Sequence, residues 1–248
     1  YLWIRKLNSK INKSSNYILY LCTAKNLLME TILDNNLPIG TRGKAELTGA
    51  KPKWLKVKLP IGQKYSELRG LVDKYKLNKT KNPNILTYKD KPVVAIWGVG
   101  FERRNYTFEN VKLLIDFFKN DPVYGGCAVL LGVPPAWRTL ARDATSNTTL
   151  LELIKSADIV HPWTPGRYKN IATVDNYKRD FTIADKAWCD QNNLLYMPVV
   201  FPGFSWSNLK NDPSKFNQIP RLKGDFLWRQ FYNNIVAGAE TVYVAMFD

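Results

Sequence analysis

Nine side chains of the kinds that hold sugars stand in, or just beyond, short apolar runs: Trp97, Trp137, Arg138, His161, Trp163, Arg167, Tyr168, Phe204 and Trp206. An indole or phenol plane packs on the apolar C–H face of a sugar ring, while guanidinium and other polar groups take the hydroxyls. Cleaving a glycosidic bond would further require two carboxyl groups about 5–10 Å apart, one as acid and one as base or nucleophile. Asp158 and Asp248 are the candidates by position, with Glu102 behind them. Asp158 opens its apolar run, which in a barrel places it at the face that serves stability rather than chemistry. Composition closes other routes. His161 is the only histidine, so a multi-histidine metal site is impossible and a Ser-His-Asp arrangement has a single base to draw on. Cys22, Cys127 and Cys189 are scattered and show no CxxC spacing, which speaks against a disulfide framework, a zinc site or redox work. No metal and no cofactor is expected.

These residues need a frame. From about Lys91 onward, short apolar runs alternate with amphipathic stretches, the signature of an α/β fold. Strands are expected over 92–100, 127–132, 158–163, 195–201 and 241–247. Helices are expected over 108–119, where Thr107 is a candidate N-cap, and over 149–157, within 175–191 and within 226–239. About five βα units are therefore recognisable, which suits a (β/α)8 barrel of the TIM type, incomplete here, or an open doubly wound sheet. The strand exits favour the barrel. "WGVGFERR" (97–104), "LGVPPAWR" (131–138), "HPWTPGRY" (161–168), "FPGFSW" (201–206) and "MFD" (246–248) gather the unusual residues, and a barrel would bring them to one rim. No GxGxxG follows any strand to support a dinucleotide site. Each aromatic taken singly is more often a cap on the core than a ligand surface; the set of six, with Arg104, Arg138 and Arg167 beside it, points to a cleft.

The 248 residues, 45% of them hydrophobic and 13% aromatic, can bury a sizeable core. The net charge of +15 is unevenly spread: residues 1–90 hold 18 Lys+Arg against 6 Asp+Glu, and residues 91–248 hold 18 against 15. The cluster "KPKWLKVK" (51–58) could track phosphates with Trp54 as a stacking surface, but a solvated, poorly folded basic segment is the commoner explanation of such a run. A basic nucleic-acid-binding protein is the third functional reading, and no nucleic-acid partner is expected from the first two. No membrane span is expected, because the longest apolar stretch, 17–34, is interrupted by Lys25 and Glu30. Two regions result: a basic, divergent segment over 1–66, without βα rhythm and expected to be poorly ordered, and a partial barrel domain over 67–248.

Six motifs carry a resemblance. "KPVVAIWGVGF" (91–101), "LGVPPAWR" (131–138), "ADIVHPWTPGRY" (157–168), "YMPVVFPGFSW" (196–206), "IPRLKGDFLWRQFYN" (219–233) and "YVAMFD" (243–248) together resemble glycoside hydrolase family 71/99-like proteins, related to the endo-α-mannosidases and endo-α-mannanases of family 99. The resemblance covers roughly residues 68–248. It implies a (β/α)8 barrel, a secreted, periplasmic or surface-lipoprotein enzyme acting on α-linked glycans, an oligosaccharide or polysaccharide substrate, and no metal. In such proteins the last motif resembles "MFDE" followed shortly by a second glutamate. Here Asp248 is the last residue, so the expected catalytic glutamates lie beyond it, with Asp248 adjacent. The catalytic residues are thus unknown from this sequence. The resemblance implies a barrel truncated at both ends and inactive in this form. A monomer is expected. The alternative from another class is a non-catalytic carbohydrate-binding protein on the same barrel.

Overall fold

The computed structural model describes residues 18–21, 29–32, 40–41, 69–70, 72–73, 86–104, 106–207, 212–214 and 217–245. Its centre is a run of parallel strands. β1 (Ile18–Leu21), β2 (Met29–Ile32) and β3 (Gly40–Thr41) come first, then β4 (Thr87–Tyr88), β5 (Lys91–Trp97), β6 (Ala128–Val133) and β7 (Ile159–Pro162). β8 (Leu195–Tyr196), β9 (Val199–Val200), β10 (Phe204–Ser205), β11 (Asn217–Ile219) and β12 (Thr241–Val244) follow. The helices are α1 (Phe108–Asn120), α2 (Thr149–Lys155), α3 (Ile171–Tyr177), α4 (Ile183–Gln191) and α5 (Asp225–Val236).

Strand β5 pairs in parallel with β6, placing Trp97 opposite Gly132, and β6 pairs with β7, placing Gly132 opposite His161. β7 then pairs with β8, and β9 with β12. β8 and β9 are one extended stretch interrupted at Met197-Pro198. The proline has no N–H to give, yet its carbonyl accepts from Tyr243 N at 2.9 Å while Met197 N donates to Val160 O at 2.9 Å, so the ladder continues on both sides. The sequence expected one strand over 195–201; the proline splits it without turning it.

Burial on both faces explains why these strands read as continuous apolar runs. Every residue of β6 is buried. Alternate residues face opposite layers. Ala95, Leu130, Ile159, Met197, Val199, Tyr243 and Ala245 pack together inside the curve of the sheet. Val94, Ile96, Val129, Leu131 and Val160 pack outward on the helices, against Val111, Leu114, Ile115 and Phe118 of α1 and Leu150, Leu153 and Ile154 of α2. The spacing of those α1 residues puts them on one face, and Thr107 caps the helix by accepting from Asn110 N at 3.3 Å. The result is a partial (β/α) barrel.

Two features depart from the sequence expectation. The single helix expected within 175–191 is α3 and α4 joined by a π-helical turn over Lys178–Thr182, and α3 begins earlier, at an Asn170–Thr173 capping box. The segment 1–66, in which no barrel strand was legible, supplies β1 beside β12 and β2 beside β5, both parallel. The expected poor order of the rest of that segment, its basic cluster at 51–58, and Asp248 lie outside the described residues.

Candidate functional site

The described aromatics of the rim sort into three groups. The first is the barrel mouth. Trp97, at the end of β5, follows the inward parity of Ala95, and its strand partner is Gly132. A Cβ on Gly132 would stand 2.6 Å from the indole, so only glycine lets Trp97 lie across β6. Trp163 continues the inward parity of Ile159 and His161, and its N–H donates to Val133 O at 2.9 Å, which fixes its backbone just past β7. The two indoles meet edge to face, 4.4 Å between centroids at 86°. Phe101 also stacks on Trp97, 6.3 Å between centroids.

His161 sits beneath this pair, 2% exposed, with its ring 6.4 Å from Trp97, 6.5 Å from Trp163 and 4.8 Å from Tyr243. Its Nδ1 lies 3.0 Å from the carbonyl of Met197, which can only accept, so Nδ1 carries the proton and Nε2 is the acceptor. Burial pushes the imidazole down to about 4, against the opposing pull of the Met197 carbonyl, and it is neutral at pH 7. On the rim above, Arg167 pairs with Asp143 and ties the loop after β7 to the loop after β6.

The second group surrounds the β10–β11 hairpin. Tyr168 is buried against Phe201 and Phe226, and its hydroxyl donates to Gln230 Oε1 at 3.1 Å. Burial raises the phenol far above its ordinary value. Phe204 packs partly on that cluster, and Trp206, 36% exposed, meets Phe204 edge to face at 4.8 Å. Gly203 makes the bend possible: a Cβ there would stand 2.8 Å from Ile219 O.

The third group faces away from the mouth. Trp137 is 0% exposed and packs edge to face on Trp188 of α4 at 5.0 Å, so as placed it offers no surface to a ligand. Arg138 donates from Nε to Asp185 Oδ1 at 2.8 Å. Asp185 is buried, and burial lifts its carboxyl to about 7 even though Arg138 pulls it down. The structure therefore brings Trp97, His161 and Trp163 together, sets Tyr168, Phe204 and Trp206 beside a separate core, and turns Trp137 and Arg138 into the helix layer.

The carboxylates follow suit. Asp158 accepts from Val129 N at 2.8 Å and from Lys119 Nζ at 3.1 Å, a clamp at the start of β7. Glu102 lines an open cleft of about 280 Å³ with Phe101, Arg103, Arg104 and Tyr106. Among the described residues no group of three or more His, Cys, Asp or Glu is placed to hold a metal ion, and no helix is long and apolar enough to cross a membrane. Sequence reasoning missed Tyr243 and Gly132. Strand parity could have found Tyr243, since it alternates inward like Ala245; nothing marks Gly132 before the register is known.

No protein-family model matches the chain. Among solved structures, the family GH99 endo-alpha-mannosidase from Bacteroides thetaiotaomicron is similar at 15% identity and a TM-score of 0.47, over 74% of this chain and 48% of that one. A glycoside hydrolase-like protein is similar at 14% identity and a TM-score of 0.48, over 87% of this chain and 57% of that one. Among curated proteins, lipoyl synthase of Flavobacterium psychrophilum is 71% identical over 51 residues, 20% of this chain and 14% of that protein. Lipoyl synthase of Flavobacterium johnsoniae is 64% identical over 50 residues, again 20% and 14%. The chain thus spans about half the length of those solved structures and about one seventh of those curated relatives. The likeness to lipoyl synthases is confined to a short stretch, and the fold stands on its own strand order: a partial (β/α) barrel.

Proposed function

We propose that the mouth of the barrel takes an α-linked glycan, of the mannosyl type that the sequence motifs imply, in a protein that works outside the cytoplasm. The observation that carries this reading is the edge-to-face pair of Trp97 and Trp163. It stands at the carboxyl ends of β5 and β7, the end at which (β/α) barrels hold their ligands. Its apolar planes suit the C–H face of a sugar ring, and the neutral imidazole of His161 below offers an acceptor rather than a charge. The Phe204–Trp206 edge, of which Trp206 is exposed, would extend the contact along the rim.

Hydrolysis belongs to the same proposal and would draw on carboxyl groups other than those described around the pair. A second reading, a glycan-binding protein without catalysis, is favoured by two engagements: Asp143 is committed to Arg167, and Asp158 to Val129 and Lys119. One experiment separates these. The chain is titrated with mannosyl oligosaccharides while tryptophan fluorescence is followed, and reducing-end release is assayed in parallel, with duplex DNA as the competing ligand class. Saturable binding with release supports the enzyme and overturns the second reading, whereas saturable binding alone supports glycan recognition, which the two readings share. Binding of DNA without any glycan would overturn both.

A further inference from the structure

We infer that Gln230, on α5, is the positioning residue for the Phe204–Trp206 edge; this rests on the reading of that edge as a glycan contact. Gln230 is 1% exposed. Its amide uses both donors and accepts twice. Oε1 accepts from Phe201 N at 3.0 Å and from Tyr168 OH at 3.1 Å; Nε2 donates to Phe201 O at 2.8 Å and to Phe226 O at 2.9 Å. Taking both the N–H and the carbonyl of one residue is what a neighbouring strand does in a ladder. The side chain therefore supplies a last rung just past β9, where the next two residues, Pro202 and Gly203, carry the chain out of the barrel. Phe201 is held at that point, and Gly203 can approach Ile219 O only without a Cβ. The direction in which β10 leaves, and with it the plane of Trp206, is set by these two residues.

The test labels the tryptophans with 5-fluorotryptophan and follows the Trp206 fluorine resonance, assigned by Trp206→Phe. In Gln230→Leu, Phe201 N and O lose their partner, and the resonance is expected to move. Gln230→Glu keeps the shape: its carboxylate repels Phe201 O at high pH, and its protonated form can donate to Phe201 O and accept from Phe201 N. The resonance is therefore expected to move at pH 9 and return toward the parent position at pH 5. Tyr168, the titratable group bonded to residue 230, stays neutral throughout because burial holds its phenol up. Asp175→Asn, which loosens α5 from α3 elsewhere on the helix, is the control for general destabilisation and should leave the resonance in place. An unmoved resonance in both Gln230 variants, or an equal movement in Asp175→Asn, overturns the inference. Affinity for mannosyl oligosaccharides should fall about tenfold in Gln230→Leu. If the parent chain binds no glycan, the reading of the site fails, while the fluorine result still decides the role of Gln230.

Discussion

The indole of Trp97 lies across the bare backbone of Gly132 on the next strand, within 2.6 Å of where a Cβ would stand. Gly132→Ala should therefore push the ring off β6 and break its contact with Trp163. Overpacking of this kind costs about 1–3 kcal/mol. Near-ultraviolet circular dichroism, which reports the coupled indoles, should weaken along with the melting temperature. An unchanged spectrum would mean that Trp97 is not held by that register.

Trp163→Ala should weaken mannosyl oligosaccharide binding by about 1–3 kcal/mol if a sugar face packs there. Calorimetric titration gives the number. A lowered melting temperature with unchanged affinity would assign the ring to the core instead.

Asp185 sets a pH dependence. Its folded carboxyl is raised to about 7 from an ordinary 3.8, chiefly by burial, so the folded state holds its proton more tightly than the unfolded one. Its contribution is fully present below about pH 4 and is lost as the pH rises through about 7. Asp185→Asn keeps an oxygen for Arg138 and removes the charge, so the fall in stability between pH 4 and 7 should flatten. Urea midpoints across that range test it; an identical slope in the variant would exclude Asp185 as the source.

Asp175 acts in the opposite sense. Arg229 binds it through two hydrogen bonds, at 2.6 and 2.7 Å, and Asn233 adds a third, holding the carboxyl down at about 2. Its contribution is present above pH 4 and is lost as the pH falls toward 2. The pair is partly exposed, so the effect is small: Asp175→Asn should lower the melting temperature at pH 7 by about 2 °C, and the difference should vanish at pH 2.

The strands after Lys91 are legible in the sequence because parallel strands buried on both faces are uninterrupted apolar runs, and α1 is legible because its buried residues recur with the helical period. The orientation of the rim was harder. Trp137 and Trp163 both follow a strand within a few residues. Trp163 keeps the parity of Ile159 and His161 and stays inward, whereas Pro134-Pro135 interrupts the strand before Trp137, which ends in the helix layer. Parity carries a side chain's direction only as far as the backbone stays extended. Gln230 was invisible for another reason: a buried amide in a helix declares its role only through partners distant in sequence.

The clamp made by Asp158 also bears on the order in which the chain comes together. With one oxygen on Val129 N and the other on Lys119, it joins β7, β6 and α1, elements whose strand partners lie within a few tens of residues. Pairing β12 with β1 instead requires Thr241 to find Ile18, more than two hundred residues earlier. Loop closure favours the near partners, so the unit from β5 to β7 is the natural nucleus and the seam beside β12 the last to close. In native-state amide exchange the amides of β6 should outlast those of β12, with the Val129 amide among the slowest to open.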